Sequence, residues 1–231
     1  LGRVKTVAEF QYKILDAMEK LLAEATNGVK VTGLEKLAEN KPCLFIGNHR
    51  DIAMDPALVC VALAHQGRDT VRIAIGDNLL TKPFTSDLMR LNKSFIVKRS
   101  VEGRRNKFNA LMHLSRYIRH SLMEDKSSIW IAQREGRAKD GLDQTETALI
   151  KMLMLSKDKQ QSFAEGLAEI NLVPVAISYE LDPCDEDKAR ELHAKRSSGR
   201  YEKDEHEDLV SIYRGLVGDK GHIHVAFGEP I

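Results

Sequence analysis

Short apolar runs of strand length alternate with helical patterns along most of this chain. Six runs fit strands: 43–46, 71–75, 95–97, 129–132, 173–177 and 222–227. Helical patterns separate several of these runs, and strands that alternate with helices favour an α/β fold with a largely parallel sheet. We therefore predict an α/β fold with a mixed, largely parallel sheet that is flanked by helices.

The N-terminal residues show the clearest helical pattern. Apolar residues recur at steps of three and four from Val7 to Ala25, and Asn27-Gly28 follows as a stop signal. Further helices are predicted after Pro56, over about 108–122 and over about 147–170. We expect an N-terminal amphipathic helix within residues 1–28 and one larger domain over residues 29–231.

The composition narrows the class of protein. Lys and Arg total 35 and Asp and Glu total 34, and this near-zero net charge argues against a general nucleic-acid binder. Three cysteines are too few for a disulfide framework and fit a reducing, cytoplasmic compartment. The longest apolar run, 57–64, is far shorter than the roughly 20 residues of a membrane-spanning helix.

Polar residues follow four predicted strands at the end where open α/β sheets bind ligands. His49 is a candidate general base, because an imidazole with a pKa near 6.5 exchanges protons at neutral pH. Asp51 and Asp55 are each close enough to orient its ring. Asp55-Pro56 also predicts a helix start with Asp55 as the N-cap, whose backbone N–H groups could stabilise an oxyanion. The alternative is a structural loop histidine beside a capping aspartate.

Basic residues at two of these strand ends suggest an anion site. Lys98 and Arg99 follow one strand, and Arg137 lies in a Glu-Gly-Arg turn after another. Guanidinium and ammonium groups bind phosphate as a bidentate fork and as a point charge. The alternative is a solvated charged face that also includes Arg104 and Arg105.

Four blocks in order resemble the glycerolipid acyltransferases, which include glycerol-3-phosphate and lysophosphatidic acid acyltransferases. The blocks are Asn48-His49 to Asp55-Pro56, Asn92 to Arg99, Arg134-Glu135-Gly136-Arg137, and Leu172-Val173-Pro174-Val175. The resemblance runs from about Val29 to the C-terminus. Two departures stand out: five residues instead of four separate His49 from its Asp, and the third block has no Thr before its Arg.

The resemblance implies an O-acyltransferase of phospholipid biosynthesis. A fatty acyl group would pass from acyl-CoA or acyl-carrier protein to a hydroxyl of glycerol-3-phosphate or a lysophospholipid. His49 would be the base, and Asp55, or else Asp51, would hold its ring. The expected acceptor-binding residues are Lys98, Arg99, Glu135, Gly136 and Arg137. No metal or cofactor is implied beyond the acyl thioester, which is a co-substrate.

The resemblance also implies work at a membrane surface, from the cytoplasmic side and peripheral to the inner face. The acyl chain would need an apolar groove, for which the candidates are Leu79, Leu80, Phe84, Leu88 and Met89. Ordinary core packing is the alternative for these five residues.

Other functions stay open at this point. The acceptor could be an aminolipid, or the chain could be an inactive relative that only binds lipid, with Lys13 and Lys20 of the first helix on a bilayer. A metallophosphoesterase would explain Gly47-Asn48-His49 and Gly76-Asp77, but that family carries the two motifs in the reverse order. His222 and His224 share one strand face and could bind a metal, although a polar strand face is the simpler interpretation.

Overall fold

The computed structural model describes residues 4–77, 83–204 and 206–231 of the chain. The strands are β1 (Gly28–Thr32), β2 (Leu44–Gly47), β3 (Arg72–Gly76), β4 (Ser94–Val97), β5 (Ile129–Ala132), β6 (Leu172–Tyr179) and β7 (His222–Phe227). The helices are α1 (Val7–Ala25), α2 (Met54–His65), α3 (Pro83–Leu91), α4 (Arg104–Met123), α5 (Thr147–Leu153), α6 (Phe163–Glu169), α7 (Asp185–Ser198) and α8 (Glu207–Val217). A short 3-10 turn, Leu34–Lys36, follows β1.

The strands form one sheet in the order β1-β7-β6-β2-β5-β3-β4. Every neighbouring pair is parallel except β6 and β7, which are antiparallel. β1 and β7 therefore run against the other five strands. The predicted mixed, largely parallel sheet with flanking helices is confirmed.

Helices cover both faces of the sheet because its central strands are apolar on both sides. In β2, Phe45 packs into one core cluster with α1 and α2, while Leu44 and Ile46 pack into another with α4 and α5. All four β2 residues are buried. Such continuous apolar runs are typical of parallel strands that are covered on both faces.

Two predicted elements differ from the structure. β1 was not among the predicted strands, because it is an edge strand with mostly exposed residues and no apolar run. The single helix expected over about 147–170 is two helices, α5 and α6, since Ser162 and Glu165 form a capping box that begins a new helix. The division of the chain at residue 28 stays a prediction.

The topology brings the predicted site residues to one edge of the sheet. β2, β5, β3 and β4 lie side by side and point the same way, so their carboxyl ends meet at this edge. The segments after these four strands carry His49, Asp77, Lys98 and Glu135. Neighbouring strands lie about 5 Å apart, so side chains of these segments can come together.

Candidate active site

His49 lies just beyond β2 and contacts Asp55 in the first turn of α2. The distance from His49 Nδ1 to Asp55 Oδ2 is 3.0 Å, and Asp55 is fully buried. Because a carboxylate accepts here, the neutral ring carries its hydrogen on Nδ1 and its lone pair on Nε2. The His49 side chain is 15% exposed, so Nε2 is the ring atom left to take a proton from a bound molecule.

Asp55 is held by three further donors. Oδ2 also accepts the backbone N–H groups of Arg50 at 2.7 Å and Asp51 at 2.9 Å. Oδ1 accepts the hydroxyl of Tyr179, at the end of β6, at 2.8 Å. Burial, and then the charge of Asp55, raise the pKa of Tyr179 well above its usual value, so this hydroxyl stays a donor. Four hydrogen bonds thus compensate a carboxylate that is removed from water.

The Asp51 side chain binds the start of α2 instead of orienting the His49 ring. Its Oδ1 accepts the backbone N–H groups of Ala53 at 2.9 Å and Met54 at 2.8 Å, at the start of α2. The Asp51 side chain therefore binds backbone N–H groups at the start of α2, whose N-cap is Ala53, and the predicted N-cap at Asp55 was wrong. Burial raises the pKa of Asp51, and the neighbouring charge of Asp55 raises it further.

The same contacts use backbone N–H groups in the region that was expected to stabilise an oxyanion. The N–H groups of residues 50 and 51 bind Asp55, and those of residues 53 and 54 bind Asp51. Four backbone donors around the start of α2 are therefore already used within the protein. The start of this helix is a rigid support for His49 rather than an open anion site.

The loop that carries His49 is anchored from several sides. The Asn48 side chain donates to the carbonyl of Ile177 at 2.9 Å and accepts its N–H at 2.8 Å, which continues the pairing of β2 with β6. Two loop carbonyls are also bound, that of His49 by Ala138 N–H and that of Arg50 by Lys188 Nζ, both at 2.8 Å. The candidate base His49 therefore lies on a fixed backbone, as preorganised catalysis would require.

Trp130 of β5 forms one wall of the site. Its ring meets the His49 ring edge-on, with centroids 6.0 Å apart. The indole can lie here only because residue 47 is glycine, since a Cβ at Gly47 would be 2.8 Å from Trp130 Nε1. Neither residue was predicted to form this wall of the site.

Lys98, Arg99 and Glu135 come together at a cavity of about 350 Å³ beyond the ends of β3, β4 and β5. Arg99 Nε lies 3.6 Å from Glu135 Oε1. Two more cations line the cavity, Lys107 and Arg134. Sequence reasoning did not assign them, although Arg134 stands directly beside Glu135 at a strand end. The cavity begins at β5, the strand paired with β2, and can hold an anionic group.

Arg137 does not line this cavity. It is 8% exposed, and its Nη2 donates to Ser211 Oγ of α8 at 3.2 Å. Arg137 therefore does not share the cavity of Lys98 and Arg99, and its role in binding the acceptor stays a prediction. Gly136 is likewise absent from the cavity lining.

A second, largely apolar cavity of about 230 Å³ lies on the His49 side of the sheet, among α1, α2, α3, β3 and α8. Ile52 and Ala53 of the His49 loop line it, as do Leu88 and Met89, two of the predicted groove residues. Leu79 and Leu80 lie outside the described residues, and so does the side chain of Phe84.

The two histidines that were candidate metal ligands each contact a different side chain. His222 Nδ1 contacts Glu180 Oε2 at 2.7 Å, and His224 Nε2 contacts Thr32 Oγ1 at 2.9 Å. Across residues 4–77, 83–204 and 206–231, no three His, Cys, Asp or Glu side chains are grouped to hold a metal.

Within the same residue ranges, no helix is both long and apolar enough to cross a bilayer. All three cysteines are free thiols, and burial raises the pKa of Cys60 to about 11.

Two comparisons with known proteins match. The model of the family described as Acyltransferase matches residues 28–178. The fold is similar to the crystal structure of the 1-acyl-sn-glycerophosphate (LPA) acyltransferase PlsC from Thermotoga maritima. The TM-score is 0.51 at 14% identity, over 99% of this chain and 73% of that chain. A search of curated proteins found no match.

Proposed function

Because the chain belongs to the acyltransferase family, we propose that it moves a fatty acyl group from an acyl thioester to a hydroxyl of glycerol-3-phosphate or a lysophospholipid. The observation that carries this proposal is the His49–Asp55 pair, which leaves one imidazole nitrogen free to accept a proton. PlsC of Thermotoga maritima, by its description, acts on a lysophosphatidic acid, which is an acceptor of this class.

The proposed reaction is general-base catalysis with no covalent acyl-enzyme. His49 Nε2 takes the proton of the acceptor hydroxyl while that oxygen attacks the thioester carbonyl carbon. The tetrahedral intermediate collapses, the carbon–sulfur bond breaks, and the imidazolium returns its proton to the thiolate. An ester and a free thiol result. Asp55 keeps the ring in the correct tautomer and stabilises the imidazolium, since its carboxylate is fixed by three other donors.

The cavity beside β3, β4 and β5 is the proposed site for the phosphate of the acceptor. Lys98, Arg99 and Arg134 supply positive charge there, and Glu135 orients the Arg99 guanidinium. Arginine suits a phosphate because its planar group can donate two parallel hydrogen bonds. Arg137 is not part of this proposal, because it is buried beneath α8.

The apolar cavity among α1, α2 and α3 is the proposed site for the acyl chain. It begins beside Ile52 and Ala53, next to the loop of His49, and its walls are mainly aliphatic. An acyl chain that enters it leaves water, which favours binding by about 0.8 kcal/mol per buried methylene. Acyl-CoA and acyl-carrier protein both deliver such a chain, and both stay candidate donors.

The proposed substrates place the protein at a membrane. A lysophospholipid acceptor and a phospholipid product both partition into a bilayer, so we propose peripheral association with the cytoplasmic face. The proposal includes no nucleic-acid partner, no resident metal and no cofactor besides the acyl thioester.

Thiol release tests the proposed function. Long-chain acyl-CoA or acyl-carrier protein would be supplied with glycerol-3-phosphate, lysophosphatidic acid or a hydroxylated aminolipid, in EDTA. We expect acceptor-dependent thiol release with one of the two phosphate-bearing acceptors, and a loss of at least about 100-fold in His49→Ala, since a positioned base contributes 10²–10⁴-fold. His193→Ala, which changes an exposed histidine of α7, is the matched control and should keep full activity.

Other outcomes separate the alternatives. Release with the aminolipid alone would replace the acceptor class and keep the mechanism. Full activity in His49→Ala would overturn the mechanism. Lipid binding without release, from folded wild-type protein with every donor and acceptor, would indicate an inactive relative.

A further inference from the structure

The N-terminal half of α4 extends beyond the protein core. None of the residues 104–113 is buried, whereas five residues between 114 and 122 are buried against the sheet and α5. Ten helical residues span about 15 Å. Helices of this length are marginal in water without a packed face. This half of α4 therefore presents a face that the rest of the described chain does not cover.

The first turn of α4 lacks the residue types that usually stabilise a helix N-terminus. Arg104 and Arg105 occupy its first turn, which has no acidic residue, and Gly103 provides no side-chain cap. The helix dipole disfavours cations at this end, and a capping side chain would stabilise it. Such residues lower the stability of the helix, so their presence points to a role in binding.

Positive charge is concentrated in this region. Residues 98–119 contain seven Lys or Arg and one Glu, a net charge of +6 in a chain whose total is +1. Within the described residues, Lys98, Arg104, Arg105 and Lys107 form no ion pair within 4 Å. These side chains are exposed and their charge is available to an anionic partner.

Apolar side chains lie among these cations. Phe108 is 51% exposed and Leu111 is 43% exposed. Arg104, Lys107, Phe108 and Leu111 follow the i, i+3, i+4, i+7 pattern, which places them on one face of the helix. Basic and large apolar residues combined on one exposed face are typical of helices that lie in the interface of a bilayer.

We propose that this face, the N-terminal half of α4 with Lys98, docks the protein on an anionic lipid surface. Lys and Arg would contact lipid phosphates while Phe108 enters the boundary of the acyl chains. An acidic protein could match the charge, but the exposed Phe108 and Leu111 favour a bilayer. The inference rests on the proposed function, because a lipid substrate or product gives the protein a reason to stay at a membrane.

The docking face is continuous with the proposed phosphate cavity. Lys107 and Leu111 belong to the face and also line the cavity that holds Lys98, Arg99 and Glu135. When the protein is docked through α4, this cavity would therefore face the lipid headgroups. A lysophospholipid could then reach the site without passing through water.

Vesicle co-sedimentation tests this docking without any substrate. The full chain would be mixed with vesicles of phosphatidylcholine alone or of phosphatidylcholine with phosphatidylglycerol. We expect binding only to the anionic vesicles, and weaker binding as salt is raised, because exposed charges are screened. Phe108→Ser and the double variant Arg104→Glu/Arg105→Glu should each lower the partition coefficient at least about tenfold. Neither changes a residue of the two proposed substrate cavities.

Lys13→Glu/Lys20→Glu on α1 is the matched control. It makes the same change in net charge at two exposed lysines of the other basic helix considered for membrane contact. Retained binding in this variant, with loss in the α4 variants, would support the proposal. Equal losses in both double variants would show a net-charge effect, and loss in the α1 variant alone would place the contact on α1. Either result overturns the docking by α4.

Activity on water-soluble substrates separates this inference from the proposed function. A short-chain acyl-CoA and glycerol-3-phosphate would be used without vesicles, and the α4 variants should then match the wild-type rate. Wild-type activity without any vesicle binding would overturn the docking and leave the function intact. Binding of the α4 face to acidic acyl-carrier protein, with no binding to vesicles, would also overturn it.

Discussion

At the scale of single residues, the site is organised around one buried carboxylate. Asp55 has no solvent exposure, yet it meets an imidazole, two backbone N–H groups and a tyrosine hydroxyl. Its charge is therefore stabilised by the protein, and the same contacts fix its direction toward His49. Changing any of these donors should affect the base through Asp55.

Tyr179→Phe should lower kcat without a comparable change in KM. The variant removes one of four hydrogen bonds to Asp55 and leaves the ring in place. A hydrogen bond to a charged group contributes about 1.5–3 kcal/mol, so a decrease in kcat of about tenfold or more is expected. Tyr213→Phe, at a 65% exposed tyrosine, should behave as wild type. A lower melting temperature with unchanged kcat would limit Tyr179 to a structural role.

Asp51→Asn should alter how stability depends on pH. Burial raises the pKa of Asp51, so the folded state holds this proton to a higher pH than the unfolded state does. The contribution of Asp51 to stability therefore falls as pH rises from about 4, its unfolded pKa, through the folded value. Asparagine keeps the oxygen that accepts the N–H groups of Ala53 and Met54 but does not titrate. The melting temperature of the variant, relative to wild type, should increase between pH 4 and pH 7; a constant difference would contradict this.

At the scale of helices and strands, close approach of α8 to the His49 loop shapes the site. Gly215 of α8 packs against the Asp51 side chain, and Ser211, one turn earlier, accepts from Arg137. α8 thereby covers both the Asp51 side chain and the arginine of the third sequence block. The position of this helix determines that Arg137 is a buried side chain rather than a cavity residue.

Gly215→Ala should destabilise the protein. The added Cβ would lie 1.9 Å from Asp51 Oδ2, so α8 or the loop must move. Overpacking of this kind typically costs about 1–3 kcal/mol, and the helix preference for alanine offsets about 1 kcal/mol of it, so a net loss of up to about 2 kcal/mol is expected. Gly166→Ala in α6 is the control, since its nearest neighbours are flexible Met and Lys side chains. Denaturant unfolding should show a clear loss only for Gly215→Ala, and equal effects would contradict the packing argument.

At the scale of the whole molecule, the proposed acyl site depends on elements that are distant in sequence. α1, α2, α3, β3 and α8 each contribute to the apolar cavity. α1 contributes Ile14, Leu15 and Met18 to this cavity while the rest of its stripe packs onto the domain. The N-terminal helix is thus part of the proposed site rather than a separate attachment.

Ala57→Phe should shift the preferred acyl length downward. Ala57 lines the apolar cavity from α2, and a larger side chain would occupy space that the distal carbons of a long chain need. We expect kcat/KM to fall more for long-chain than for short-chain acyl-CoA, as measured across a series of donors. Ala64→Phe, on α2 but outside the cavity lining, should leave the profile unchanged. An equal loss at every length in Ala57→Phe would argue against this cavity as the acyl site.

Much of the fold was predictable, because apolar periodicity reflects local geometry that each segment carries on its own. The six predicted strands are all present, and so is the amphipathic α1. β1 lacked this signal because an exposed edge strand is stabilised mainly by its partner, β7. The family match also confirms the predicted membership among the acyltransferases.

The sequence by itself determined the α/β class, the acyltransferase family and the candidate base at residue 49, since these depend on residue type and on spacing within short segments. Only the tertiary structure decided that Asp55 contacts His49 while Asp51 binds the start of α2, because both lie within six residues of the candidate base and sequence distance cannot separate them. It also decided that Tyr179 supports Asp55, that Arg137 is buried and that the described residues leave the N-terminal half of α4 uncovered. These three features depend on which distant segments of the chain pack together. Strand order and helix packing determine that.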